Sequence, residues 1–429
     1  MTAAGEGMTG CDTQNITCDV AVVGAGPAGI AAALAFNHVG TDVALIGPER
    51  PETSAARGET RTAALLNSSV DFLIRLGVWD ALRPEAAPLK VVRIVDASGS
   101  LIRSPDIAFK ASDLGLAAFG YNIANTALTA SLYARARDVL PKRIAESVGT
   151  IQLDDQAAHL TLSGGRTVTA RLLAGADGRR SVCREAAGIE TSAWGYDQGA
   201  IASRFHHTEP HRGVSTELHK ERGSLTTVPM SDPLQSALIW IGPPEETDAL
   251  MACDEAAFAA HLQDRLGDTL GGISAIGQRA AFPVAGINAR KLAHNRTALI
   301  GEAAHVMPPI GAQGLNLGLR DAAALADCVA DAVRQGHDPG GRAVLANYID
   351  ARKLDVLSRA VGVDLLNRSL LTSLIPVQAA RGVFLAGLNA FAPLRRLVMR
   401  VGLEPPSSLP SLMRPAARET GGVGTAQPA

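Results

Sequence analysis

The sequence predicts an α/β fold in which a parallel sheet flanked by helices is interrupted by a mostly antiparallel β domain and followed by C-terminal helices. Three observations predict it. Asp19-Val20-Ala21-Val22-Val23 is a short apolar run that ends at Gly24-Ala25-Gly26-Pro27-Ala28-Gly29 and passes into an alanine-rich stretch, the opening of a βαβ unit. From about Thr191 to Phe282 the pattern changes to alternating segments such as Leu225-Thr226-Thr227-Val228 and Ala237-Leu238-Ile239-Trp240-Ile241. Thr297-Ala298-Leu299-Ile300-Gly301 then resumes the first style and leads to a second glycine-rich turn and a second helix. The outer parts are therefore Rossmann-like.

Element by element, Pro27 sits at the preferred first position of a helix whose packing side carries Ile30, Leu34 and alanines, and Asp42–Ile46 is the second strand. Residues 47–60 form a polar loop, and helical patterning returns over Ala63–Leu76 and Thr126–Val139. Strands are expected around Val148–Leu162 and Val168–Leu173, with a turn at Gly164-Gly165, and one helix near Asp254–Leu266. After the late turn, Leu315, Leu319, Ala322, Ala326, Val329 and Val333 recur at helical spacing, and the chain from Tyr348 is mostly helical.

Bulk properties narrow the function. A hydrophobic content of 47% over 429 residues supports a large core, and a net charge of −2 gives no case for nucleic acid. Cys11, Cys18, Cys183, Cys253 and Cys328 are scattered without a CxxC pair, which predicts a reducing compartment and neither a disulfide framework nor a metal site. The start of the chain has no basic and apolar signal-peptide pattern, and no run approaches the roughly 18 apolar residues of a membrane span. A cytoplasmic protein is expected.

In the first motif, Gly24 permits the tight turn, Gly26 lets backbone approach a pyrophosphate, and Gly29 lets helix pack on strand. The acidic residue that ordinarily ends the second strand is replaced by Gly47. Either Glu49, two residues on, reaches the ribose, or backbone or water makes that contact. The late segment Gly301-Glu302-Ala303-Ala304-His305-Val306-Met307-Pro308-Pro309-Ile310-Gly311-Ala312-Gln313-Gly314-Leu315-Asn316 opens a second helix, whose N-terminal N–H groups favour negative charge. Two glycine turns far apart imply a ligand gripped at both ends, as FAD requires. His305 reads as structural, because no partners stand at metal spacing.

A middle motif, Gly175-Ala176-Asp177-Gly178-Arg179-Arg180-Ser181, completes a set of three in the order found in class A flavoprotein aromatic hydroxylases, which the chain resembles over about residues 18–335. Glu59-Thr60-Arg61-Thr62, Gly120-Tyr121-Asn122-Ile123-Ala124-Asn125 and Gly311-Ala312-Gln313-Gly314-Leu315-Asn316 make it similar to the ubiquinone-biosynthesis hydroxylase branch. The resemblance implies that Arg61 contacts the FAD phosphates, that Asn125 lies beside the cofactor, and that Asp177 helps bind it. Gly301 and Glu302 form the late motif, with Glu302 in place of the usual Asp. Pro308, Gly311, Gln313 and Gly314 would form the flavin-facing turn. Gly314, Leu315 and Asn316 would stabilise the reduced flavin's negative charge.

The implied organisation is a disordered leader over 1–15, an FAD-binding domain over 16–190 and 283–345, a substrate domain over 191–282, C-terminal helices over 346–404 and a disordered tail over 405–429. The implied activity is ring hydroxylation of a prenylated phenol, with NAD(P)H as electron donor and O2 as co-substrate. A small soluble aromatic substrate is the alternative, and a non-catalytic flavin subunit a further one. Tyr196, His206, His207, Glu217, Trp240 and Arg279 are candidate groups over the substrate. Arg368, Arg381, Arg395, Arg396 and Arg400 among apolar residues suit either a helix packed on the flavin domain or peripheral contact with membrane or a biosynthetic complex. Homo-oligomerisation is left open.

Overall fold

The computed structural model describes residues 15–48, 60–96, 106–220, 223–309, 311–371, 387–403 and 408–415, with only the helical path given for 366–371. The first part contains β1 (Asn15–Val23), α1 (Pro27–His38), β2 (Val43–Ile46), β3 (Thr62–Leu66), α2 (Asn67–Arg75), α3 (Trp79–Leu82) and β4 (Ala87–Pro88). It continues with β5 (Val91–Asp96), β6 (Ile107–Lys110), β7 (Gly120–Ala124), α4 (Asn125–Val139), β8 (Lys142–Ile144), β9 (Val148–Leu153), β10 (Ala158–Leu162), β11 (Thr167–Gly175) and α5 (Val182–Ala186). The middle part holds β12 (Thr191–His207), β13 (Val214–Lys220), β14 (Gly223–Pro229), β15 (Gln235–Gly242), α6 (Pro244–Ala252), α7 (Glu255–Leu266), β16 (Ile273–Ile276) and β17 (Ala280–Ala289). The last part holds β18 (Ala293–His294), β19 (Thr297–Leu299), β20 (His305–Val306), α8 (Gln313–Arg334), α9 (Arg342–Leu371) and a helix over Ala392–Leu403.

The nucleotide sheet runs β18-β19-β11-β1-β2-β8, with β1 parallel to both β2 and β11. Val20 to Val23 are all buried, which is why this strand shows no alternation: helices α1 and α8 cover one face and the β9–β10 hairpin side the other. Helical patterning over Ala63–Leu76 is half corrected. Thr62–Leu66 is a strand paired with β7, and the helix begins only at Asn67. A short Ala-Ala-Leu-Leu run carries no usable period, and pairing with β7 decides its conformation.

The second sheet runs β20-β17-β12-β15-β14-β13-β5-β6, with β16 also on β12. It draws β5 and β6 from well before residue 191 and β20 from the late motif, so three separate stretches of chain build it. Helices α6 and α7 cover one face, where Phe258, Leu262 and Leu266 pack on Ile201, Phe205, Leu238 and Trp240. The opposite face therefore looks toward the nucleotide domain.

The leader lies outside the described residues up to position 14. The expected tail is corrected in part: Leu412 and Met413 are buried in the main core, and the Ser411 amide donates to Asp327 at 2.7 Å. Two apolar side chains in a Pro/Gly/Ala-rich segment suffice to dock it. Positions 416–429 lie outside the described residues.

Candidate functional site: a flavin cradle

The glycines of the first motif divide by what surrounds them. A Cβ on Gly24, whose φ is +117°, would lie 2.2 Å from the Ala176 carbonyl oxygen, and one on Gly29 would lie 1.9 Å from the Gly24 oxygen. Both hold backbones in contact. A Cβ on Gly26 would meet nothing within 4 Å. Gly26 is the N-cap of α1 and supplies no side-chain cap, so the first-turn N–H groups stay available to an anion. Gly47 explains the missing acidic residue, since its Cβ would stand 2.8 Å from the Ala25 nitrogen. Glu49 lies outside the described residues.

All three motifs converge on the start of α1. Ala176 of the middle motif touches Gly24 and Gly29, while Ala28 faces Gly301 and Gly318. Asp177 serves the turn itself: its carboxylate accepts from Ser181 Oγ at 2.6 Å and from the Cys183 amide at 3.1 Å. Ser181 in turn caps α5 through the Arg184 amide. Glu302 is exposed and pairs with Arg179 at 3.3 Å, linking the middle and late motifs. Arg61 is exposed at the head of β3, and its carbonyl accepts from the Asn125 amide at 3.1 Å, so these two residues stand together.

At the late turn Pro308 is buried, Gly311 has φ +65° and Ala312 is left-handed at φ +56° before α8 begins. The helix has no side-chain cap. Gly314 is exposed with nothing near its Cβ position, and Leu315 is half-buried against the core. Asn316 is a staple: Oδ1 accepts from the Leu66 amide (2.9 Å) and Ser69 Oγ (2.7 Å), and Nδ2 donates to the carbonyls of Ala64 and Ala312. A cofactor contact from this position is thus confined to its backbone. Behind the turn, Asp321 accepts from the Gly301 amide (3.0 Å), His305 Nε2 (2.7 Å) and Arg352 Nε (2.7 Å). Arg352 and Arg320 share Asp355 at 2.6 Å each, all of them buried. His305 is structural, as its sequence context suggested. One signal for this network stands in the chain itself and was overlooked: Arg320-Asp321 interrupts the apolar face of α8.

The sheet opposite this turn sorts the other candidates. Trp240 and Arg279 lie on the helix-covered face, Trp240 against Phe258 and Arg279 donating to the Leu250 and Cys253 carbonyls. His207 is held there by Glu209 O and Ser236 Oγ, and burial holds its imidazole below the usual histidine range. Tyr196, His206 and Glu217 do not join that packing. Tyr196 donates to Asp364 of α9 at 2.5 Å and receives the Trp194 indole N–H at 2.8 Å. It packs with Ala200, Ile239, Ile241, Phe282, Val284 and Met307, the last one residue before Pro308.

The cradle fits FAD. One open glycine faces an uncapped helix N-terminus, a second uncapped helix carries the exposed Gly314, and Gln313 Oε1 is a buried acceptor with no donor among the described residues. No cluster of metal-ligating side chains occurs among the described residues.

These features define a flavin-dependent oxidoreductase. The chain belongs to the FAD binding domain family, whose model matches residues 17–360. It is an FAD-dependent monooxygenase in the ubiquinone-hydroxylase branch of the class A flavoprotein hydroxylases. It is 35% identical to the ubiquinone hydroxylase UbiL of Rhodospirillum rubrum, over 90% of this chain and 91% of that one. It is 29% identical to the 3-demethoxyubiquinol 3-hydroxylase of Escherichia coli, over 91% and 99%. Its fold is similar to that of p-nitrophenol 4-monooxygenase PnpA from Pseudomonas putida (TM-score 0.72, 20% identity, 92% and 100% covered).

Proposed function

We propose that this enzyme hydroxylates the aromatic ring of a prenylated phenol on the route to ubiquinone, using NAD(P)H and O2. The observation that carries the proposal is the apolar wall of Ala200, Ile239, Ile241, Phe282, Val284 and Val363, which is continuous with Met307 at the flavin-facing turn. A ring bearing a hydrocarbon tail matches such a wall, and the names of the two relatives point to the same substrate class.

Bound FAD supplies the electron transfer from NAD(P)H and the activation of O2. The chain's own residues do the rest. Gly24, Gly26 and Gly29 would let the N-terminus of α1 hold the pyrophosphate, with Arg61 on the phosphates and Asn125 beside the cofactor. The N–H groups of Gly314 and Leu315, at the positive end of α8, would stabilise negative charge on a flavin ring bound there. Asn316 and Asp321 fix that helix end, and the apolar wall keeps water from the reacting ring.

The C-terminal helices fit peripheral contact with a membrane, where such a substrate resides. Leu354, Leu357, Val361 and Leu365 are exposed along one line of α9, and Phe391, Leu397 and Val401 are exposed on and beside the helix Ala392–Leu403. Arg396 and Arg400 are exposed there too, and residues 387–403 contain no acidic side chain. No described helix is long and apolar enough to cross the bilayer.

The deciding experiment is mass spectrometry of lipids from a strain lacking the gene and from its complemented counterpart. A prenylated phenol short of a hydroxyl, with ubiquinone lost, supports the proposal. An unchanged quinone pool in a strain with no second hydroxylase moves the substrate to a soluble aromatic.

A further inference from the structure

Across the substrate sheet, residues on one face can be followed strand by strand. Pairings set Ala200 opposite Ile241, Ile241 opposite Ser224, and Ser224 opposite His219. The next row is Ala202, Ile239, Thr226 and Glu217. Directly paired residues share a face, and α6 and α7 cover the other one, so these two rows look toward the flavin cradle. The rows change character along their length. At β12 and β15 they are apolar, and at β14 and β13 they become Ser224, Thr226, Glu217 and His219.

Glu217 and His219 stand two apart on one strand, with the imidazole Nε2 at 2.7 Å from Glu217 Oε1. Their side chains are 14% and 6% exposed. A buried carboxylate that takes one ring N–H fixes the tautomer and leaves the other ring nitrogen as a base, and it stabilises the imidazolium once a proton arrives. The neighbours facing His219 are Ser224 on β14 and Asp96 on β5. Among the described residues, neither pair member bonds to the glycine motifs of the flavin cradle.

We propose that His219, oriented by Glu217, receives the phenolic proton of the substrate, while the apolar half of the same face takes its hydrocarbon part. This rests on the phenol hydroxylase reading above. The phenolic O–H bond breaks with its electron pair left on the ring oxygen, and the proton goes to His219 Nδ1. The electron-rich ring then accepts one oxygen atom from the monooxygenase reaction, and the stored proton returns to the product's phenolate before release. Glu217 is a positioning residue and exchanges no proton in this scheme.

The test uses FAD-loaded enzyme with a short-chain prenylated phenol. H219Q is expected to lower product formation on the order of 10²–10⁴-fold, the usual contribution of a positioned base. FAD content should be unchanged, and NAD(P)H oxidation should drain into H2O2. A ring-fluorinated analogue, already ionised at neutral pH, should restore most of the H219Q rate, which a merely structural loss would not allow. Anaerobically, the absorbance of bound phenolate should fall in H219Q and also, to a lesser extent, in E217Q. Full product formation by both variants, or equal defects with the ionised and un-ionised phenols, overturns the inference. If H219Q does not fold, E217Q carries the same comparison through the phenolate absorbance. A wild type that oxidises no phenol at all overturns the functional reading, and this inference with it.

Discussion

The Gly301 amide donates to Asp321 Oδ2 at 3.0 Å, across twenty residues of sequence. That bond joins the start of the late motif to the middle of α8. The same carboxylate also receives His305 and Arg352, so the turn, α8 and α9 share one buried charged centre. The C-terminal helix that lends Val363 and Asp364 to the substrate side is thereby anchored to the turn proposed to meet the flavin.

Asp321→Asn should therefore destabilise strongly, by about 3–5 kcal/mol, because Arg352 would be left buried with one carboxylate fewer. Burial pushes the Asp321 carboxyl up, but His305, Arg352 and the Gly301 amide outweigh it and hold the group well below the ordinary range. An unfolded Asp takes its proton near about pH 3.9, before the folded one does. The stabilisation is thus full above that pH and is lost as pH falls toward the folded value. Urea melts at neutral pH and at about pH 2.5, below the ordinary aspartate range, test this: the gap between wild type and variant should narrow with acid. A constant gap would remove the carboxylate from the account.

Much of this site was legible in the sequence because it rests on backbone. Gly24, Gly29 and Gly301 are required by close approach or by positive φ, and such needs leave glycine in the sequence whatever lies around it. Side-chain roles were less legible. Asn316 and Asp177 looked like cofactor ligands, yet their polar atoms bind α2, β3 and α5, partners that only the folded chain supplies. The strand Thr62–Leu66 was hidden because its partner β7 lies more than fifty residues away. The Glu217–His219 pair needed the sheet register to reveal its face.

The two open and closed glycines of the first motif should separate folding from cofactor binding. Gly24→Ala puts a methyl into the Ala176 backbone at a left-handed φ, so both stability and FAD content should fall, the strain alone being of order 1–3 kcal/mol. Gly26→Ala meets nothing in the protein and should leave stability within about 0.5 kcal/mol. Its methyl would stand where the proposal puts the pyrophosphate, and FAD affinity should drop at least about tenfold, or ~1.4 kcal/mol. Thermal melts of the apoprotein and FAD titration measure the two quantities. Equal FAD affinity in Gly26→Ala and wild type would move the pyrophosphate elsewhere.

Gly314→Asp tests the other end. Nothing lies within 4 Å of the position, and an acidic residue suits the first turn of a helix, so α8 should form normally. A carboxylate there opposes the charge that reduction places on the flavin. Reduction by NAD(P)H should slow by about 10²-fold, or FAD should be lost on gel filtration. Wild-type flavin content together with wild-type turnover would take this turn out of the flavin site.

The exposed line on α9 gives the last prediction. Leu357 and Val361 are one turn apart and both more than half exposed, with Arg396 and Arg400 on the neighbouring helix. Apolar contact plus positive charge should bring the enzyme down with vesicles containing anionic lipid, less so as salt rises. Arg396→Glu with Arg400→Glu should weaken that binding by about 1 kcal/mol or more per residue, and Leu357→Glu with Val361→Glu should abolish it. FAD content and turnover of a short-chain soluble phenol should survive both changes, because neither pair touches the cradle. Sedimentation with vesicles of defined composition reads the first effect and turnover the second. If wild type ignores vesicles and instead elutes as a dimer that Leu357→Glu splits, the line is a contact between copies of this chain, and the substrate must reach the pocket by another route.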